Sequence, residues 1–347
     1  MTQSPQAAAS RMAEEIAEIP EAVARLLSEG GPMIRAVAAA ARAADPAFIV
    51  TVARGSSDHA AACLKYAAEL TLGLPVASIG PSVASVYHAP LRLGGGLCLA
   101  LSQSGQSPDI VAMTRAAGRA GAVSVAITNH PASPLAAAAA HVIDIHAGPE
   151  RSVAATKTFV TSLVAGLALL AEWHGDPALL AALADLPERL EKAVACDWGA
   201  LGAVLVDAGS VFTLGRGPGL AIAGEAALKF KETCRIHAES YSSAEVAHGP
   251  VSIVGQGFPV LAFATADAAE PGILATAAAM AAKGAQVFVT APDVPAAMRL
   301  PVVRTAHPLT DPVALIVSFY AMVEALARAR GIDPDRPRHL RKVTETV

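Results

Sequence analysis

The chain has 347 residues, of which 53% are hydrophobic and 16% charged, so it can bury a large core and has room for two domains or one duplicated domain. A net charge of −4 gives it no general affinity for nucleic acid. Its first residues lack the basic region and apolar core of a secretory signal, and its most apolar predicted helix, Val160–Glu172, is too short to span a bilayer. We therefore expect a cytoplasmic protein without a membrane partner.

The four cysteines lie far apart in the sequence. They form neither a C-x-x-C pair nor a metal-type spacing with histidine. We interpret them as reduced thiols in the core and expect neither a metal nor another cofactor; they are Cys63, Cys98, Cys196 and Cys234.

The first predicted elements are helices. A helical arm over residues 1–30 has apolar residues at helical spacing, and Pro20 should kink it or split it in two. A helix over Met33–Arg42 follows. The apolar run Phe48–Ala53 then predicts a buried strand that leads through a glycine- and serine-rich turn into the helix Ala60–Leu72.

Further strands alternate with helices along the first half of the chain. This alternation predicts a doubly wound parallel sheet with helices on both faces, and such sheets bind ligands beyond the carboxyl ends of their strands. The predicted strands are Val76–Ile79, Leu97–Leu101, Ser124–Thr128 and Val142–His146.

The stretch Ser102–Asp109 follows one of these strands and predicts an anion site. The first turn of a helix has unpaired N–H groups and a positive dipole, and Gly105 lets the backbone approach a ligand. The stretch has neither the G-x-G-x-x-G order of a dinucleotide loop nor the G-K-[ST] ending of a nucleotide P-loop, so a sugar phosphate fits better than a nucleotide. An ordinary serine-rich turn with a helix cap remains open on residue types alone. The neutral donors are Ser102, Gln103, Ser104 and Ser107.

The pattern begins again in the second half. Strands at Val211, Pro259–Ala264 and Ala285–Thr290 parallel those of the first half, which predicts two copies of one α/β unit. The second copy lacks the Ser-Gln-Ser-Gly turn, so we expect one phosphate site per chain. The predicted domains are 31–175 and 201–332, joined by a linking helix over 176–200 and followed by a tail over 333–347.

A second cluster of chemistry lies on the predicted helix Gly224–Thr233. Glu225, Lys229 and Glu232 are four and three residues apart and share one face, whereas Lys231 points away. Charges on a helix are usually a solvated face with ion pairs. However, a carboxylate beside a lysine and a histidine is what an aldose–ketose interconversion needs. Either His237 or His248 in the next segment could be that histidine or a buried structural one.

Five motifs together resemble the tandem sugar isomerase (SIS) domains of glucosamine-6-phosphate synthase. The resemblance runs from about Met12 to Val347 and implies two tandem domains, each a flavodoxin-like doubly wound parallel sheet. The family's N-terminal glutaminase is absent from this sequence. The motifs are Ser102-Gln-Ser-Gly105, Val153–Lys157, Glu225–Glu232, His248-Gly-Pro250 and Asp335–Lys342.

The resemblance also implies a role for each matching residue. Glu232 would move a proton between C1 and C2 of the sugar, with Lys229 beside it and Glu225 in support. His248, from the neighbouring subunit of a homodimer, would open the sugar ring, and Lys342 would form a Schiff base with the ketose. The phosphate would be held by Ser57, Ser102, Gln103, Ser104 and Ser107, and the remaining substrate-binding residues would be Gly55, Ser56, Val153, Ala155 and Arg341.

Three positions depart from the family's pattern. Ala155 replaces a serine, Gln106–Asp109 replaces Glu-Thr-Ala-Asp, and Arg54–Ser57 replaces Cys-Gly-Thr-Ser. These changes bear on substrate preference more than on the class of reaction.

The sequence therefore predicts an enzyme that converts D-glucosamine 6-phosphate and water to D-fructose 6-phosphate and ammonia, because no internal ammonia source accompanies the isomerase. Two enzymatic alternatives stay open: deglycation of a fructosamine 6-phosphate, and a synthase-like isomerase with a separate ammonia source. A sugar-phosphate sensor is the non-enzymatic alternative, although a sensor would not need Glu232, Lys229 and His248 together.

Overall fold

Two parallel five-stranded sheets organise the computed structural model, which describes residues 9–291 and 294–342. The parts of the predicted arm and tail that fall on residues 1–8 and 343–347 lie outside the described residues. The first half contains α1 (Arg11–Ala17), α2 (Ile19–Glu29), α3 (Gly31–Ala44), β1 (Phe48–Val52), α4 (Ser56–Thr71), β2 (Val76–Ser78), α5 (Ser82–Ser85), β3 (Gly96–Leu101), α6 (Pro108–Arg119), β4 (Val123–Thr128), α7 (Pro134–Ala138), β5 (His141–Asp144) and α8 (Lys157–His174).

The second half begins with the linking helix. It contains α9 (Pro177–Val194), α10 (Gly199–Leu205), β6 (Ser210–Gly215), α11 (Pro218–Lys229), β7 (His237–Ser242), β8 (Pro259–Ala262), α12 (Glu270–Ala281), β9 (Gln286–Val289), β10 (Met298–Arg299) and α13 (Asp311–Ala329). A π-helical turn, Phe230–Cys234, extends α11, and two short 3₁₀ turns, Glu245–Ala247 and Pro250–Ile253, follow β7.

The two halves repeat one topology, as predicted. The strand order is β2-β1-β3-β4-β5 in the first sheet and β7-β6-β8-β9-β10 in the second. The first strand of each half, β1 or β6, leads into the following helix, α4 or α11, through a glycine with a positive φ angle. Gly55 has φ +55° and Gly217 has φ +57°, and ψ is −135° at both. The repeat therefore extends to the backbone of the first turn.

Several boundaries differ from the prediction. Pro20 does split the arm, because it lies in the first turn of α2, where its missing N–H costs nothing. Helix α4 begins at Ser56 rather than Ala60, so the serines of the first turn belong to the helix. Strands β7 and β10 were not predicted: β7 is a largely polar edge strand without an apolar run, and β10 has only two residues.

The core between the sheets is made of helices from both halves. Helix α4 packs against α8 and α11, and α13 packs against α9 and α11. Helix α13 is long and apolar enough to cross a membrane, but 78% of that stretch is buried inside the protein, which is the position of a core helix. Because α4 and α11 lie side by side, residues from the two halves meet at the carboxyl end of the first sheet.

The cysteines are free thiols, and three of them are buried. Burial raises the pKa of the Cys63 and Cys98 thiols to about 12, which makes them unreactive. The prediction of a core position is wrong for Cys196, which lies just beyond the end of α9 and is partly exposed.

Candidate active site

A cavity of about 320 Å³ lies where the two serine-rich turns, the start of α8, the end of α11 and the tail meet. It brings together every residue predicted to bind the phosphate and every further residue predicted to bind the substrate, together with Glu232 and Lys342. Arg54 and Leu340 also line it, although the sequence analysis gave them no role. The lining residues are Arg54, Gly55, Ser56, Ser57, Ser102, Gln103, Ser104, Ser107, Val153, Ala155, Glu232, Leu340, Arg341 and Lys342.

The serine-rich turn between β3 and α6 is a tight loop held by its own hydroxyls. Ser102 Oγ accepts a hydrogen bond from Gly105 N, and Ser104 Oγ accepts one from Gln106 N, both at 3.2 Å. Gly105 has φ +61°, and a Cβ there would lie 2.1 Å from Ser133 Oγ. Ser107 precedes α6 and makes no side-chain capping bond, so its hydroxyl remains available to a ligand at the start of the helix.

The two serine-rich turns are tied together by an ion pair. Arg54 Nε and Nη2 donate to Asp109 Oδ2 at 3.0 and 2.9 Å, and Asp109 is buried at the start of α6. The guanidinium itself is half exposed and faces the cavity. This arrangement adds a positive charge to a cradle whose other donors are neutral.

Behind the cavity lies a buried cluster of alternating charge. Lys229 Nζ donates to Glu232 Oε2 at 2.5 Å and to Ser56 Oγ at 2.9 Å, and it lies 3.4 Å from Glu225 Oε1. Lys229 and Glu225 are fully buried, whereas Glu232 reaches the cavity. The predicted helix face is therefore an interior one, and the ordinary interpretation as a solvated face is wrong.

The π-helical turn at the end of α11 carries Glu232. Such turns insert an extra residue into a helix and often occur at functional sites. Here the turn places Glu232 within reach of Lys229, three residues earlier, while Lys231 points away and donates to the carbonyl of Ala238.

Burial and neighbouring charges shift the protonation of this cluster. Burial raises the pKa of Glu225 to about 7, although Lys229 and the hydroxyls of Tyr320 and Ser56 act in the opposite direction. Burial lowers the pKa of Lys229, but Glu225 and Glu232 outweigh this effect and the net pKa is raised. Lys229 is therefore a permanent cation between two carboxyl groups, and Glu225 can change its charge near neutral pH.

The tail brings Lys342 to the cavity, and Glu150 holds it there. Lys342 Nζ donates to Glu150 Oε2 at 2.8 Å and to the carbonyl of Ser152 at 2.7 Å. Glu150 also accepts hydrogen bonds from Thr156 N and from both the N–H and the hydroxyl of Thr158, at the start of α8. Burial raises the pKa of Glu150, but Lys342 and these hydrogen bonds outweigh it and leave the pKa lowered.

Neither candidate histidine lines the cavity within the described part of the chain. His237 is exposed on the edge strand β7, and His248 is exposed after the 3₁₀ turn Glu245–Ala247.

Three residues of the site were missed from the sequence. Glu150 lies three residues before the Val153–Lys157 motif, and its signal is an acidic residue close to a predicted core helix, where it must be paired. Asp109 ends the predicted anion stretch, but no local pattern indicates its ion pair with Arg54. Tyr320 lies in an apolar helix that gave no sign of its hydrogen bond to Glu225.

The fold and the cavity define an α/β protein whose serine-lined cavity lies between two repeated domains. The SIS domain model matches residues 44–172 and 204–327, so the chain belongs to the SIS domain family. It is of the phosphosugar isomerase type and is related to the isomerase half of glutamine–fructose-6-phosphate aminotransferase.

Three relatives illustrate this placement. A protein of Silicibacter pomeroyi DSS-3, to which phosphosugar isomerase activity has been attributed, is 64% identical, with a TM-score of 0.92 over 94% of this chain and 100% of that one. The isomerizing glutamine–fructose-6-phosphate aminotransferase of Aeropyrum pernix is 34% identical over 97% of this chain and 57% of its own length, so the chain spans little more than half of that relative. Glucosamine-6-phosphate deaminase of Thermotoga maritima has a TM-score of 0.78 over 97% of this chain and 100% of its own, but at 19% identity this likeness shows the fold alone.

Proposed function

We propose that the protein catalyses the hydrolytic deamination of D-glucosamine 6-phosphate to D-fructose 6-phosphate and ammonia. The observation that carries the proposal is the Glu232–Lys229 pair at the wall of a cavity that also contains a phosphate cradle and the amine of Lys342. In this direction the reaction needs water as its only other reactant, whereas the synthetic direction needs a supply of ammonia.

The proposed proton transfer follows from the position of Glu232. With the phosphate held by the serines, Glu232 removes the proton from C2 of the open-chain amino sugar and returns it to C1. The product is the C2 imine of fructose 6-phosphate, and the later exchange of its nitrogen for the oxygen of water releases ammonia and leaves the ketone. Lys229 stabilises the oxyanion that develops at C1.

Lys342 is the proposed nucleophile toward the C2 carbon. Its amine attacks the imine carbon, ammonia leaves, and hydrolysis of the resulting Schiff base frees the lysine and the ketose. The contacts of Lys342 with Glu150 and Ser152 orient the amine toward the cavity.

We further propose that the protein acts as a homodimer in the cytoplasm. His248 would then reach the cavity of the neighbouring subunit and open the sugar ring. Its exposure and its absence from the cavity of its own chain, as far as the described residues extend, support this arrangement.

Deglycation of a fructosamine 6-phosphate is the second candidate. Ala155 lines the cavity at a position where the resemblance leads us to expect a serine, and the smaller side chain favours a bulkier substituent on the sugar nitrogen. The same groups would serve, but a larger amine would leave.

The experiment is to supply the purified protein with glucosamine 6-phosphate and to quantify ammonia and fructose 6-phosphate together. We expect equal amounts of both. The variant E232Q should lower kcat by about 10²–10⁴-fold, because it removes the base, while the affinity for the substrate changes little.

The outcomes separate the candidates. Cleavage of fructosamine 6-phosphates without deamination would replace the deaminase by the deglycase. Tight binding of sugar phosphates without any turnover would support a sensor, and unchanged turnover in E232Q would remove Glu232 from its role.

A further inference from the structure

Tyr320 lies behind the catalytic cluster and has no part in the steps above. It is fully buried in α13, and its hydroxyl donates to Glu225 Oε1 at 2.9 Å. Its ring packs edge-on against Phe159 of α8, with the ring centroids 6.3 Å apart and the planes at 88°. The hydroxyl is therefore held in place by packing from both halves of the chain.

We propose that Tyr320 is a positioning residue whose hydroxyl favours the carboxylate form of Glu225, so that Lys229 is shared between two carboxylates and Glu232 stays a strong enough base. This inference rests on the proposed function, because it assigns Glu232 the proton transfer. Tyr320 acts through Glu225 and does not touch the cavity.

Few groups stabilise the Glu225 anion. Oε1 receives the Tyr320 hydroxyl and lies 3.4 Å from Lys229 Nζ, whereas Oε2 is buried without a hydrogen-bond partner among the described residues. A buried carboxylate with so few donors depends strongly on each of them. Burial raises the pKa of Glu225 to about 7, and the Tyr320 hydroxyl acts against burial, so the loss of this donor would shift Glu225 further toward its protonated form.

The charge of Glu225 reaches the base through Lys229. Lys229 Nζ lies between the two carboxyl groups, 2.5 Å from Glu232 Oε2. When Glu225 is protonated, the lysine charge acts on Glu232 alone and stabilises its carboxylate, which weakens it as a base. An ionised Glu225 divides the lysine charge and restores the basicity of Glu232.

Ser56, whose Oγ accepts a hydrogen bond from Lys229 Nζ, is a second hydroxyl beside Glu225 and acts on the pKa of Glu225 in the same direction as Tyr320. From α4, Ser56 and His59 face the cluster; burial together with Lys229 and Lys231 lowers the pKa of His59 to about 4, so it is neutral. From α13, burial and the charge of Glu225 raise the pKa of Tyr320 well above its usual value, and Glu150 and Glu232 act on Tyr320 in the same direction. The tyrosine therefore stays protonated and remains a hydrogen-bond donor.

The test uses Y320F, which keeps the ring and removes the hydroxyl. The readout is deuterium incorporation at C1 of fructose 6-phosphate in D₂O, followed by NMR as a function of pD, because this exchange reports proton transfer without requiring deamination. In Y320F we expect the acid limb of the exchange-rate profile to shift to higher pD by about one unit or more. On the alkaline plateau the exchange rate should stay close to that of the wild-type protein.

Two further variants separate positioning from structure. In an E225Q background, Y320F should no longer move the acid limb, because its effect passes through the Glu225 carboxylate. F159L removes the ring that packs on Tyr320 but keeps the hydroxyl; it should lower the midpoint of thermal unfolding and leave the acid limb in place.

Three results would overturn the inference: an equal loss of rate at every pD in Y320F, an unmoved acid limb, or a shift that persists in the E225Q background. If the wild-type protein exchanged no deuterium at any pD, the proposed function itself would fail, and this inference would fail with it.

Discussion

Glu150 is a buried carboxylate that joins two distant parts of the chain. Its partner Lys342 is 192 residues away in the sequence, and the same carboxylate accepts three hydrogen bonds at the start of α8. One side chain thus fixes both the tail and the loop that carries Val153 and Ala155. Glu150 therefore connects the tail to the wall of the cavity.

We expect E150Q to lower the free energy of unfolding by about 1–3 kcal/mol at neutral pH, because a charged hydrogen-bond network becomes a neutral one. It should also raise KM, since Lys342 and the tail lose their anchor. Denaturant unfolding measures the first effect, and steady-state kinetics measure the second.

The pH dependence of the free energy of unfolding is the control for the E150Q prediction. The pKa of Glu150 is lowered on folding, so its contribution is complete above the unfolded value of about 4.5 and is lost as the pH falls through the folded value. The deficit of E150Q should therefore shrink in acid. K342M should also cost less in the E150Q background than alone; independent, additive effects would contradict the proposed anchor.

At the scale of elements, the site depends on how closely α4 approaches α8 and α11. Gly166 in α8 faces Leu64 of α4, and a Cβ there would lie 2.2 Å from Leu64 Cδ1. Gly224 in α11 faces His59 of α4, with the corresponding distance to Nδ1 at 2.7 Å. Small residues at these contacts let α11 bring Lys229 within 2.9 Å of Ser56 at the start of α4.

We expect G166A to destabilise the protein by about 1–3 kcal/mol, because overpacking a filled core forces side chains and backbone to shift. G202A is the matched control, since Gly202 is also inside a helix, α10, but a Cβ there meets nothing within 4 Å. The control should be neutral or stabilising by up to about 1 kcal/mol from helix propensity. If G166A and G202A changed the free energy of unfolding equally in chemical denaturation, the contact with Leu64 would not be the cause of the destabilisation.

At the scale of the whole molecule, the proposed dimer assigns one catalytic group to the partner. His248 is exposed, and among the described residues of its own chain it is not one of those that line the cavity. In a two-fold dimer each site would therefore combine Glu232 of one subunit with His248 of the other.

This assignment predicts complementation between two inactive variants. A mixed dimer of E232Q and H248Q contains one site with both Glu232 and His248, so random pairing at equal amounts should recover about a quarter of the full activity. Ammonia release from co-expressed subunits measures this recovery, with each variant expressed alone as the baseline. If His248 served its own subunit, no mixed dimer would contain a complete site and nothing would be recovered.

The order of strands and helices followed from sequence because each depends on local patterns. Apolar runs bounded by glycine, such as Gly96–Leu101, and proline at a helix start, such as Pro108, correctly predicted strands of the first sheet and the turn that leads into α6. The repeat was visible as well, because both copies keep the Arg-Gly pair before the helix. The polar edge strand β7 was missed, because a strand without an apolar face has no periodicity to detect.

The sequence by itself thus determined the fold class, the repeat and the residue types of the site, all of which are encoded by neighbours along the chain. Only the tertiary structure decided which charges pair. Lys342 with Glu150, Arg54 with Asp109 and Tyr320 with Glu225 join residues far apart in sequence, and no local pattern specifies such pairs. It also decided that Lys229 and Glu225 are interior, because their burial results from the packing of α4 and α13 on α11. That burial distinguishes the proposed proton-transfer cluster from an ordinary ion-pair spacing on a helix surface.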